Sequence, residues 1–116
     1  MGHANINDHA DWLGPDDATL SGDITFGADD TEALLFAQVC QSITHDDNTV
    51  AREVETVRVT PPQDRWEVVV KRRGGPQLTQ GPAFASVLAV FTNEEHELAS
   101  YSWSDCVHLE EPGAAA

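Results

Sequence analysis

The chain carries as many charged residues as large apolar ones, and this balance limits the core that it can build. Leu, Ile, Val and Phe account for 26 of the 116 residues, and Asp, Glu, Lys and Arg account for another 26. Highly charged chains with less than roughly 20% of those apolar residues generally stay disordered. This sequence lies just above that level, so we expect one small domain with little apolar surface to spare.

The charge is strongly acidic and unevenly distributed. There are 20 Asp and Glu against six Lys and Arg, which gives a formal net charge of −14. All six basic residues lie within residues 52–73, and only Lys71 is a lysine. An acid excess with scarce lysine is typical of proteins from a salt-saturated cytoplasm, because concentrated salt screens the repulsion between carboxylates. We therefore expect a halophilic, cytoplasmic protein.

The same composition argues against two classes of function. Direct nucleic-acid binding needs a basic surface, whereas the pI of this sequence is about 4.3. No apolar run approaches the roughly 18 residues of a membrane span, so we expect no membrane partner. Residues 1–12 lack the basic and apolar regions of a signal peptide.

One segment has the pattern of an amphipathic helix. Asp29 is a suitable N-cap, and Glu32 occupies the third position that a capping box uses. The apolar residues that follow at the spacing of one helical stripe are Leu35, Phe36, Val39, Cys40 and Ile43. This pattern predicts a helix over residues 30–44, with Phe36, Val39 and Cys40 packed against a sheet.

The other patterns favour strands. Residues 53–60 and 66–71 alternate apolar and polar, and the short turn between them suits an antiparallel hairpin. Residues 83–91 fit either a helix or a strand, and we favour the strand because residues 98–103 alternate clearly after it. The predicted fold is α+β, with one main helix packed on an antiparallel meander of about four strands.

The chain is predicted to have three parts. Residues 1–21 are polar and are broken by a turn signal at Gly14-Pro15, so we expect an irregular N-terminal arm that Trp12 pins to the fold. Residues 22–110 form the single α+β domain. Residues 111–116 are a C-terminal tail.

A basic group at the end of a predicted strand is the first candidate site. Lys71, Arg72 and Arg73 precede a Gly-Gly-Pro turn, and arginine at such a place suits the capture of a carboxylate or phosphate. The group either binds an anion or an acidic partner, a second copy included, or neutralises acidic side chains of its own chain. We favour neutralisation, because sixteen net negative charges outside residues 52–73 compete for only six basic residues.

A pocket between the helix and the sheet is the second candidate site. The residues expected to line it are Trp66, Tyr101, Trp103 and His108. His108 shares a strand face with Cys106, as in a Cys-His nucleophile pair, but the carboxylates around Cys106 oppose a thiolate. No nucleotide, hydrolase or metal motif is present, so we expect no catalytic residue, no cofactor and no metal site.

The two cysteines leave one alternative open. Without a secretion signal, Cys40 and Cys106 are expected to be free thiols. They would be close enough for a disulfide if the last strand packed under the helix.

These patterns favour a binding role over catalysis. We expect a non-enzymatic domain that binds a protein partner or forms a homodimer. One alternative is a small-molecule-binding or enzymatic fold that uses the pocket between helix and sheet. Another is a nucleic-acid mimic, whose carboxylates would stand in for phosphates.

Overall fold

The computed structural model describes residues 2–42, 50–72 and 77–112, which fold into eight β-strands. No helix occurs among these residues, so the predicted α+β fold with one main helix is wrong. The described part of the chain accordingly has no helix long and apolar enough to cross a membrane. The strands are β1 (His3–Ala4), β2 (His9–Trp12), β3 (Asp17–Thr25), β4 (Asp30–Ser42), β5 (Val50–Val59), β6 (Arg65–Lys71), β7 (Gly81–Asn93) and β8 (Leu98–Glu110).

The strands form one mixed sheet with two halves. In the first half, β5, β4, β7 and β8 lie side by side in that order, each antiparallel to the next. In the second half, β3 pairs with β6 along one edge and with β1 and β2 along the other. The two halves join where β2 runs parallel to β8, with His9 opposite His108.

The sheet curls so that both halves share one core. Phe26, just after β3, packs edge-on against Phe91 of β7, with the ring centroids 5.8 Å apart. Trp66 of β6 is 3% exposed, and its indole N–H donates to the carbonyl oxygen of Asn5 over 2.8 Å. Gly22 lies opposite Trp66 in the sheet, and a Cβ at Gly22 would collide with the same carbonyl oxygen. Glycine at this position therefore lets the N-terminal segment lie close to β3.

The segment expected to be an irregular arm is instead structured, because residues 1–21 contain β1, β2 and the first part of β3. Trp12 does hold this segment to the fold, since its Nε1–H donates to the carbonyl oxygen of Leu78 over 3.1 Å. The buried Gln41 of β4 holds the residues around Leu78 from the other side. Its amide donates to the carbonyl oxygens of Thr79 and Pro82 over 2.9 and 3.1 Å, and it accepts from the Thr79 N–H over 2.9 Å.

The predicted helix over residues 30–44 is the strand β4. Leu35 and Val39 point inward and are fully buried, whereas Phe36 and Cys40 point outward, so only Val39 keeps its predicted place in the core. Apolar residues at both i and i+1 fit one stripe of a helix, but they fit equally well a strand that is apolar on both faces. Ile43 lies outside the described residues.

The predicted strands are confirmed, and one predicted pairing is wrong. β5 and β6 confirm the strands at residues 53–60 and 66–71, and β7 confirms the strand interpretation of residues 83–91. β5 and β6 do not form the expected hairpin, because β5 pairs with β4 and β6 pairs with β3. The turn at Pro61-Pro62 instead carries the chain from one half of the sheet to the other.

Candidate interaction surface

The strands β5, β4, β7 and β8 have an inner face on the core and an outer face directed to solvent. Phe36 of β4 lies opposite Leu88 of β7, and Leu88 lies opposite Ser102 of β8. On its other side, Phe36 lies opposite Thr56 of β5. This central row of the outer face therefore places two large apolar side chains between two small polar ones.

Large apolar side chains recur along the outer face. Phe84 is 49% exposed, Leu88 is 40% exposed and Leu98 is 70% exposed. Three further apolar side chains are half-buried among them. Scattered exposed apolar residues are normal on any protein, but a contiguous group marks an interaction site. The outer apolar patch consists of Leu34, Phe36, Phe84, Leu88, Val90 and Leu98, in which the polar row of Gln38, Ser86 and Ser104 separates Phe84 from Leu88.

The three strands that carry this patch are uncharged over most of their length. Residues 33–41, 81–93 and 98–104 contain no Asp, Glu, Lys, Arg or His, although 22% of the chain is charged. A charged pair borders the patch, with the Arg58 Nε 3.6 Å from a Glu32 carboxylate oxygen. Charged residues ordinarily cover the solvent side of a sheet. Their absence from these segments indicates that the outer side of these strands is suited to contact with another surface rather than with water.

Both cysteines lie on the outer face. The register places Cys40, Phe84 and Cys106 side by side in one row. The Cα atoms of the two cysteines are therefore two strand spacings apart, about 10 Å, which exceeds the roughly 7 Å that a disulfide can bridge. Both are free thiols, as expected, with Cys40 half-buried and Cys106 exposed.

The basic group at the end of β6 makes contact with an acid of the same chain. The Arg72 Nη2 lies 2.7 Å from a carboxylate oxygen of Asp16, and the Arg72 backbone N–H donates to the Asp16 carbonyl oxygen over 2.7 Å. The Lys71 side chain is exposed. Arg73 lies outside the described residues. The Arg72–Asp16 pair agrees with neutralisation within the chain, and capture of an anion or partner by the group stays a prediction.

The four residues of the predicted pocket do not line one cavity. Trp66 lies in the core, and His108 lies exposed on the outer side of β8. Tyr101 and Trp103 share the inner side of β8, where the Tyr101 ring lies 6.0 Å from the His3 ring and Trp103 is 40% exposed. The structure thus brings Tyr101 and Trp103 together but not the other two. The predicted helix that would have formed one wall of the pocket is the strand β4.

Trp66 lines a different hollow. A groove of about 320 Å³ lies beside it, lined also by Arg58 and Arg65 from the two ends of the β5–β6 turn. Each arginine lies near a carboxylate of its own chain: the Arg65 Nε is 3.8 Å from Asp23, and Arg58 has the contact with Glu32 given above. These exposed pairs partly neutralise the groove, so it offers no concentrated positive site for an anion.

One histidine pair lies at the junction of the two halves. The Glu110 carboxylate lies 3.9 Å from the His9 Nδ1 and 3.5 Å from the His108 Nε2. These three side chains are exposed or half-exposed, and no group of three potential ligands in the described ranges is placed to hold a metal ion.

None of the residues in the outer apolar patch was among the predicted site residues. The signal was nevertheless present in the sequence, because residues 33–40 and 83–91 are apolar at nearly every position. Antiparallel strands with one solvent face alternate, whereas strands that are covered on both faces have continuous apolar runs. The two runs therefore indicate that β4 and β7 need a cover on each side.

No protein-family model matches the sequence, and no curated protein matches it either. The composition and geometry of the outer face are therefore the observations that support a function.

Proposed function

We propose that the protein is a non-enzymatic binding domain that engages another protein through the outer face of β5, β4, β7 and β8. One observation carries the proposal. β4 and β7 are apolar on both faces, whereas the described fold covers only their inner faces. A protein surface packed against the outer face would supply the missing cover.

The cost of leaving this patch open supports the proposal. The patch holds six of the chain's 26 Leu, Ile, Val and Phe residues. Burial of one such side chain stabilises a fold by about 1.5–3 kcal/mol, so a chain with few of them gains little from leaving three exposed and three only half-buried. Their concentration on one face is expected if they are buried in a complex.

The chemistry of the outer face also indicates the polarity of the partner surface. The centre of the patch is apolar, and exposed serines on β8 border it at Ser100, Ser102 and Ser104. Interfaces commonly have such an apolar centre and a polar rim that forms hydrogen bonds. The partner surface is therefore apolar and largely uncharged.

The alternative of an enzyme or small-molecule binder loses its main support in this fold. It relied on a pocket between helix and sheet, and the segment predicted to be that helix is β4. The two free thiols on the outer face suit a reducing compartment, so we place the binding domain in the cytoplasm.

The proposed function is tested by measuring whether substitutions in the outer face prevent the protein from retaining a partner. The tagged protein is incubated with extract of the source cells at their native salt concentration, alongside Leu88→Thr and Phe84→Thr variants. Threonine keeps strand propensity and removes apolar area. Val69→Thr is the matched control, since Val69 is 38% exposed on the outward side of β6.

We expect the wild type and Val69→Thr to retain a stoichiometric protein, either another polypeptide or a second copy of this chain. Both face variants should lose it while keeping the circular dichroism spectrum of the wild type. Retention that is unchanged in both face variants, or a wild type that retains no protein at all, would refute the proposed function.

A further inference from the structure

We infer that the occupant of the outer face is the outer face of a second copy of this chain. This inference rests on the proposed function and names its partner. The two copies would pack face to face about a two-fold axis, so that each outer apolar patch covers the other. β4 and β7 would then be buried on both sides, as their continuous apolar runs require.

Charge is the first argument for a second copy. Each chain has a net charge of −14, so two copies repel wherever their acidic surfaces meet. The uncharged segments of β4, β7 and β8 provide a surface where two such chains can approach without bringing like charges together. These segments hold no carboxylates for a basic partner and no basic side chains for an acidic partner.

Size is the second argument. Nine residues of strand extend about 30 Å and four adjacent strands about 19 Å, so the outer face, with Arg58 of β5 at its edge, covers roughly 570 Å² in projection. Two such faces together exceed the roughly 1,000 Å² expected of a specific interface. Two packed sheets lie about 10 Å apart with their strands roughly aligned, and this is the arrangement that we infer for the two outer faces.

The dependence on salt distinguishes this dimer from one built on ion pairs. Salt screens the repulsion between the acidic bodies and leaves the apolar contact intact, so association should strengthen as KCl rises from about 0.1 M to about 1 M. A dimer formed through the basic residues of β6 would weaken over the same range.

Sedimentation equilibrium of the purified full chain tests the inference. The protein concentration is varied from about 1 to 300 µM, because a micromolar dissociation constant is measurable over that range. Ser102→Glu places a charge in the central row at a side chain that is already exposed, so it leaves the isolated fold intact. Leu88→Glu is the second face variant, and Val69→Glu on β6 is the matched control. Circular dichroism verifies that all the variants fold.

We expect the wild type and Val69→Glu to reach twice the 12.6 kDa of one chain at high concentration, more readily in 1 M than in 0.1 M KCl. Ser102→Glu and Leu88→Glu should stay at the mass of one chain. A wild type that stays monomeric overturns the inference, and the proposed function still stands if a different protein is retained through the face. A dimer that both face variants preserve also overturns it, because the copies then meet elsewhere.

Discussion

Phe36 of β4 and Leu88 of β7 lie directly opposite each other in the sheet, and both side chains point away from the core. Their chain neighbours Leu35 and Ala89 are also opposite each other, and both are fully buried. The same pair of strands thus presents an apolar surface on each side. This relationship explains why the sequence of β4 resembles a helix and why the outer face is the candidate interface.

The neighbouring residues Leu35 and Phe36 should respond differently to truncation. Leu35 is 0% exposed in the core, so Leu35→Ala should cost about 3 kcal/mol of unfolding free energy through lost burial and a cavity. Phe36 is half-buried on the outer face, so Phe36→Ala should cost about 1 kcal/mol in the dilute protein. Denaturant titration at low protein concentration measures both. A larger loss of unfolding free energy for Phe36→Ala than for Leu35→Ala would show that Phe36 lies in the core.

Gln41 should be the most sensitive polar residue of β4. It is 5% exposed, and its side chain makes three hydrogen bonds to the backbone of Thr79 and Pro82. Gln41→Leu leaves those backbone groups without partners, so it should cost about 2–4 kcal/mol. Gln38→Leu on the outer face of the same strand is the control and should change stability by less than about 1 kcal/mol. Equal effects of the two substitutions in thermal melts would contradict the inward placement of Gln41.

Arg72 should contribute to stability through its pairing with Asp16. The Arg72 side chain is 22% exposed and the Asp16 side chain 60% exposed, so solvent screens the pair. We expect Arg72→Gln to cost about 0.5–1 kcal/mol at low salt and less at high salt. Lys71→Gln, at the exposed neighbour, should have little effect. If sedimentation showed instead that Arg72→Gln abolished a dimer without lowering stability, the basic group would be an interface.

Salt should stabilise the fold. The midpoint of thermal unfolding should rise between about 0.1 M and about 1 M KCl, because the Debye length falls to about 3 Å and carboxylate repulsion is screened. A small hollow lined by Asp29, Glu94, Glu95 and Glu97 concentrates that repulsion. Glu95→Gln should therefore raise the midpoint at low salt and have almost no effect at high salt. A wild-type midpoint that is flat or falls with KCl would contradict halophilic adaptation.

The sequence predicts the local elements of this fold better than their arrangement. Alternation in residues 66–71 and 98–103 identifies β6 and β8, because one side of each strand faces the core and the other faces solvent. The partner of β6 cannot be found this way, since it pairs with β3, more than forty positions earlier in the chain. Long-range pairing depends on contacts that no local pattern records.

The wrong prediction for residues 30–44 has the same physical origin as the missed surface. Periodicity assigns a residue to one side of one element, and β4 is apolar on two sides. Leu35 and Phe36 therefore look like adjacent positions of a helical stripe, although they lie on opposite faces of the sheet. The predicted pocket residues Trp66 and His108 were separated for the related reason that their common cavity required a helix.

The thiols of Cys40 and Cys106 provide the most direct measurement of the central claim that the outer face is covered by protein. Their labelling rates with a maleimide are measured by mass spectrometry in source-cell extract at native salt and in dilute purified protein. Val69→Cys supplies a reporter on β6 as the control. We predict that both native thiols react several-fold more slowly in the extract, while the control reacts equally fast in both samples. Native thiols that react as rapidly in the extract as in the dilute protein would contradict the account.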